Sequence, residues 1–177
     1  MPSIRPLSLV LASFALVACG QKDADTSTAP TADAGPPAPQ YVATLDVCAT
    51  FPLATVEAAI GKVRKSRPLS SSGSQGASPY SGGCHWIAEK MKNVRVEIGN
   101  EASLGAAKTT ARAVVDGATT GPMQGSQPLA GLGEAAMIRE DGPVVMIVAA
   151  AGNKAVQVIS GDIGRDATIS IARAALE

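Results

Sequence analysis

Beyond residue 41 the chain alternates between two hydrophobic periods. Leu53, Val56 and Ile60 recur at helical spacing. Pro52 suits the start of that helix and Gly61 its end. Lys62 to Leu69 is extended but heavily charged, which predicts a weak strand at a sheet edge. Ser70 to Pro79 is a run of Ser and Gly that predicts a flexible loop. A period of two follows. Cys84, Trp86 and Ala88 alternate with His85 and Ile87, and Val94, Val96 and Ile98 alternate with Asn93, Arg95 and Glu97. This pattern predicts an antiparallel hairpin with one face buried and one half exposed.

Ser103 is placed to cap a second helix with Leu104, Ala107, Ala111, Val114 and Val115 on its apolar face, stopped by Gly117. Gly117 to Gly131 reads as a loop. A second β unit then begins, with a strand over Glu134 to Glu140 and a turn at Asp141-Gly142. Val144 to Ala151 is apolar throughout, the mark of a central strand buried on both faces. Gly152-Asn153 signals a tight hairpin, and Ala155 to Ser160 pairs back. Asp166 is placed to cap a last helix carrying Ile169, Ala172 and Leu176. The strands come in hairpins rather than singly between helices. The expected fold is therefore α+β, with an antiparallel sheet built from two α-then-β passages that form a pseudo-repeat, and a C-terminal helix.

The N-terminus has a different pattern. Arg5 precedes an apolar run from Leu7 to Ala18, and Cys19 follows. The run is shorter than the roughly 20 residues a membrane-spanning helix needs. A basic start, an apolar stretch and a small-residue cleavage site describe a secretory signal. Leu16-Val17-Ala18-Cys19 resembles the bacterial lipobox, and that resemblance implies a lipidated Cys19 as the mature N-terminus. Gly20 and Gln21 follow it rather than Asp, which in a Gram-negative host favours the outer membrane, facing the periplasm. Residues 1–18 are thus expected to be a signal peptide. Residues 19–40, rich in Pro, Thr, Ala and Asp, are expected to form a disordered, lipidated tether, and residues 41–177 a single domain.

Composition narrows the function classes. Lys plus Arg and Asp plus Glu both number 15, so no basic surplus points to nucleic acid. Aromatic residues make up only 3% of the chain, too few for base- or sugar-stacking platforms. There are three cysteines. If Cys19 carries lipid, Cys48 and Cys84 are the one pair left for a disulfide, in a compartment where disulfides persist.

Asp46-Val47-Cys48, Leu53, Val56-Glu57, Ile60-Gly61, Gly83-Cys84-His85-Trp86 and Gly131-Leu132-Gly133-Glu134-Ala135-Ala136 together resemble a family of small secreted bacterial lipoprotein domains of unknown function, common in actinobacteria. The chain departs from that pattern with Glu134 where Asp is usual. The resemblance spans residues 41–177 and implies a disulfide and an envelope location. It implies no reaction.

Candidate chemistry is sparse. His85 is the only histidine, and no cluster has the ligand number and spacing that zinc requires. The serines of 70–81 lie in a loop and form no Gly-x-Ser-x-Gly elbow. Gly131 to Ala136 formally matches Gly-x-Gly-x-x-Ala, but it follows a loop and opens an expected strand, not a helix. No catalytic residue, metal or cofactor is assigned, and His85 and Trp86 are the only candidate ligand contacts. The expected function is a lipid-anchored envelope lipoprotein with a non-catalytic binding domain. Its partners would be the membrane, through Cys19, and an envelope protein or small ligand. The alternatives are an envelope hydrolase using His85 as base, or a purely structural assembly subunit.

Overall fold

A computed structural model describes residues 45–69, 79–106, 109–121 and 123–177. All fall within the unit spanning residues 37–177. The expected signal segment, Cys19, the expected tether, the expected domain start at Tyr41 and most of the Ser/Gly loop lie outside the described residues.

Seven strands form one antiparallel sheet: β1 (Val63–Leu69), β2 (Gly82–Ala88), β3 (Asn93–Gly99), β4 (Gln127–Pro128), β5 (Ala135–Asp141), β6 (Val144–Ala151) and β7 (Lys154–Gly161). Their order is β1-β2-β3-β7-β6-β5-β4. Two meanders, β1-β2-β3 and β5-β6-β7, therefore meet where β3 pairs with β7, Val96 opposite Val158. The helices are α1 (Val47–Thr50), α2 (Leu53–Ile60), α3 (Glu101–Ala106), α4 (Ala111–Ala118) and α5 (Arg165–Leu176). The α+β class, the antiparallel sheet and the C-terminal helix are as the sequence pattern predicts. So are the charged edge strand β1 and the central, largely buried β6.

The period-two alternation decides which residues meet the main core. Cys84, Trp86, Val94, Val96, Ile147, Val156 and Val158 face α1, α2 and α5, from which Val47, Val56, Ile171 and Ala172, with Phe51 between α1 and α2, are buried against them. Trp86 is 1% exposed, and its ring centroid lies 5.7 Å from that of Phe51. Cys48 and Cys84 form a disulfide, with their Cα atoms 5.0 Å apart, which fastens α1 to the centre of β2. Closing that 36-residue loop stabilises the fold by roughly 3–4 kcal/mol in the chain-entropy model.

A smaller core lies on the opposite face. Leu104 of α3, Ala111 and Val115 of α4, and Met123 pack there against Val148, Ala150 and Ala155. Helices thus cover both faces of β5-β6-β7, whereas among the described residues helices pack mainly on one face of β1-β2-β3, with α3 meeting β3 on the other.

Two expected caps are replaced by neighbours. Asn100, not Ser103, caps α3: its Oδ1 accepts the Ser103 N–H at 3.2 Å. The Ser103 hydroxyl is buried and accepts the Asn100 N–H at 3.0 Å, so the two residues satisfy each other. The single helix expected from Leu104 to Val115 is two. Thr110 caps the second, accepting from Ala113 N at 3.2 Å. At α5 the N-cap is Gly164, with φ of 80°, and Asp166 sits inside the first turn.

Gly131 to Ala136 is a turn into β5, as its place after a loop predicts. Leu132 is buried in the main core. Gly133 has φ of 61° and passes under the Ala150 carbonyl. Glu134 accepts from Gly152 N at 3.0 Å and so braces the β6–β7 hairpin.

Candidate functional site

His85 and Trp86 are adjacent in sequence, and the pleat sends them to opposite faces. Trp86 is sealed in the core and cannot touch a ligand. His85 is half-buried on the face of the first meander opposite the main core. The register extends its row across three strands. Arg67 lies opposite His85, His85 opposite Arg95, and Arg95 opposite Ile159 of β7. At about 4.8 Å between strands, Arg67, His85 and Arg95 line up within roughly 10 Å. Lys65, Ile87 and Asn93 form the next row.

Arg95 is the centre of this surface. Its Nη2 donates to Glu97 Oε1 at 2.9 Å, two residues along the same strand. Its Nε is buried and has no hydrogen-bond partner, although the side chain as a whole is 43% exposed. A buried donor left unmade is unfavourable by about 1–3 kcal/mol. Tyr80 packs beside this pair and against the smaller core. Burial holds its phenol protonated well above the ordinary range, and the Glu97 carboxylate pushes in the same direction, while Arg95 opposes them.

His85 Nε2 lies 3.4 Å from Asn93 Oδ1, a long contact with an amide. Among the described residues no hydroxyl or carboxylate hydrogen-bonds to His85, so no nucleophile–base pair is assembled there. Nor do three His, Cys, Asp or Glu side chains among them gather to hold a metal ion.

Two clefts elsewhere are less suited to a ligand. One of about 370 Å³ lies between α4 and the Pro128–Met137 segment. Its Arg112 is taken by Asp116 at 3.1 Å and its Glu134 by Gly152 N. The other, of about 340 Å³, is lined by Arg139, Glu140 and Arg165. There Arg165 pairs with Glu140 at 2.6 Å and Arg139 with Asp141 at 3.2 Å.

The polar half of the β3 alternation, Asn93, Arg95 and Glu97, was the signal for a face opposite the main core. The gathering of Arg67 and Ile159 onto the same row had no signal, because it depends on strand order. In comparisons with known proteins, the chain matches no family model and no curated protein.

Proposed function

We propose that this chain is a lipid-anchored envelope lipoprotein, held by acyl chains on Cys19, whose domain is a non-catalytic binding module. Its binding face is the side of β1-β2-β3 opposite the main core. The signal-like segment ending at Cys19 supports the anchor, and the Cys48–Cys84 disulfide suits an exported protein. In a Gram-negative host the expected site is the outer membrane, facing the periplasm.

The observation that carries the binding role is the cross-strand row Arg67–His85–Arg95, which sets two guanidinium groups on one face, one at each end. Guanidinium groups recognise carboxylates and phosphates through paired N–H donors. Ile87 and Ile159 flank that row with apolar surface. An acidic group on a partly apolar envelope partner, protein or small molecule, fits this chemistry.

The test is crosslinking in intact envelopes, followed by capture and mass spectrometry. It compares the native chain with Cys19→Ala and with a folded Arg67→Gln/Arg95→Gln variant. A partner captured by the native chain and lost from the Arg variant supports the binding face. Loss in Cys19→Ala as well shows that anchoring is required. Capture unchanged by the Arg substitutions would overturn the assignment of the face.

A further inference from the structure

The turn joining β2 to β3 carries two features that the binding face does not use. Lys90 and Met91 are consecutive non-glycine residues with positive φ, at 55° and 63°, and Lys92 N–H donates to Glu89 O at 3.2 Å. This is the conformation of a type I′ turn, for which Asn-Gly is the favoured sequence. A Lys-Met pair held there is strained, and strain of this kind collects where a surface has a task. Met91 is 78% exposed, more than any other large hydrophobic side chain among the described residues.

Around this tip cations outnumber carboxylates. Val63 pairs with Ala88, so β1 begins where β2 ends. Lys62, Arg64 and Lys65 therefore stand beside Lys90 and Lys92, and all but Lys92 are exposed. One local carboxylate, Glu89, is paired with Arg64. In a chain whose acidic and basic residues balance at 15 each, this is a segregated patch. The acidic residues of the same sheet end, Glu140 and Asp141, belong to β5, three strands away, and are held by Arg165 and Arg139. Asp162 and Asp166 follow the neighbouring β7, and the Glu57 carboxylate lies at the start of β1, where its Oε1 accepts from the Val63 N–H at 3.1 Å.

We infer that the hairpin tip, with Met91 between Lys90 and Lys92 and with Lys62, Arg64 and Lys65 beside it, rests on an anionic lipid bilayer. A thioether side chain enters the acyl boundary, and the lysine stems lie along it with their ammonium groups at the headgroups. Each cation near an anionic surface strengthens binding roughly fivefold. One such tip binds weakly alone and serves as the second signal beside a lipid chain. The inference rests on the lipoprotein reading only in that an anchor brings the tip to a bilayer.

The chain length permits this arrangement. Leu45 bonds to Ser81 at the end of β2 opposite the tip, and that seven-residue strand is about 23 Å long. The chain between Cys19 and Leu45 could span on the order of 80 Å when extended. It is long enough for lipid and tip to meet the same leaflet.

The test is co-sedimentation of the unlipidated mature chain, residues 19–177 with Cys19→Ala, with vesicles. One set contains equal phosphatidylglycerol and phosphatidylcholine, the other phosphatidylcholine alone. We expect at least tenfold tighter binding to the anionic set, weakened by salt. The double change Lys90→Asn/Met91→Gly supplies the favoured turn, so the protein should melt no lower than wild type while its vesicle binding falls at least fivefold. Lys62→Gln and Lys65→Gln should each weaken binding several-fold. Equal binding to both vesicle types, or binding unchanged by the turn swap, would overturn the inference. The mass of Cys19 in the native protein tests the anchor separately: an acylated Cys19 with an inert tip defeats only the tip, and an unmodified Cys19 with an active tip defeats only the anchor.

Discussion

Gly133 and Ala150 approach so closely that a Cβ on Gly133 would lie 2.3 Å from the Ala150 carbonyl oxygen. Gly133 also has φ of 61°, so two independent constraints exclude a side chain there. Gly133→Ala is expected to destabilise the protein by about 2–3 kcal/mol through backbone strain and displacement of β6. Denaturant unfolding should show this. The neighbouring Gly131, around which a Cβ would meet open space, provides the comparison. Its Ala variant bears only the cost of its positive φ and should lose less. Equal losses at the two positions would refute the close-approach argument.

Reducing the Cys48–Cys84 bridge should remove roughly 3–4 kcal/mol, lowering the melting temperature by on the order of 10 °C. Cys84 is fully buried and Cys48 half-buried, so the bridge should resist mild reductant until the domain opens. Cys48→Ala/Cys84→Ala should reproduce the loss. A melting curve unchanged by reductant would show that the main core holds α1 without the bridge.

Tyr80 predicts an alkaline limb of stability. Its folded-state pKa is raised, chiefly by burial and then by Glu97. The native state therefore keeps a proton that the unfolded chain releases near pH 10. The stabilisation is fully present below that value, and it declines as pH rises further toward the folded pKa. Stability measured from pH 9 upward should fall more steeply for wild type than for Tyr80→Phe. Parallel curves would mean that the phenol is as easily ionised folded as unfolded.

Much of this architecture was legible locally. The unbroken apolar run of β6 marked a centre, and the charges of β1 marked an edge, because each reports its own surroundings. Alternation at Cys84-His85-Trp86 correctly separated a core face from an open one. What alternation does not specify is a neighbour. Nothing in Val96 or Val158 names the other, so the β3–β7 junction, and with it the row from Arg67 to Ile159, was not readable. The caps were misread for a related reason. Ser103 and Asp166 have suitable side chains, but Asn100 stands three residues before Ser103 and shares its hydrogen bonds. Gly164 takes its place through a backbone conformation rather than a side chain.

The two outermost strands have a consequence for how the molecule tolerates company. β1 is interrupted by a bulge between Val63 and Lys65, carries charge along its length, and has Pro68, which lacks an N–H. At the other rim, β4 is two residues long and ends in Pro128. Neither rim offers a long, flat series of free backbone donors to a passing chain. The sheet is closed to growth at both sides, so crowded copies are expected to remain separate molecules rather than zip into fibres.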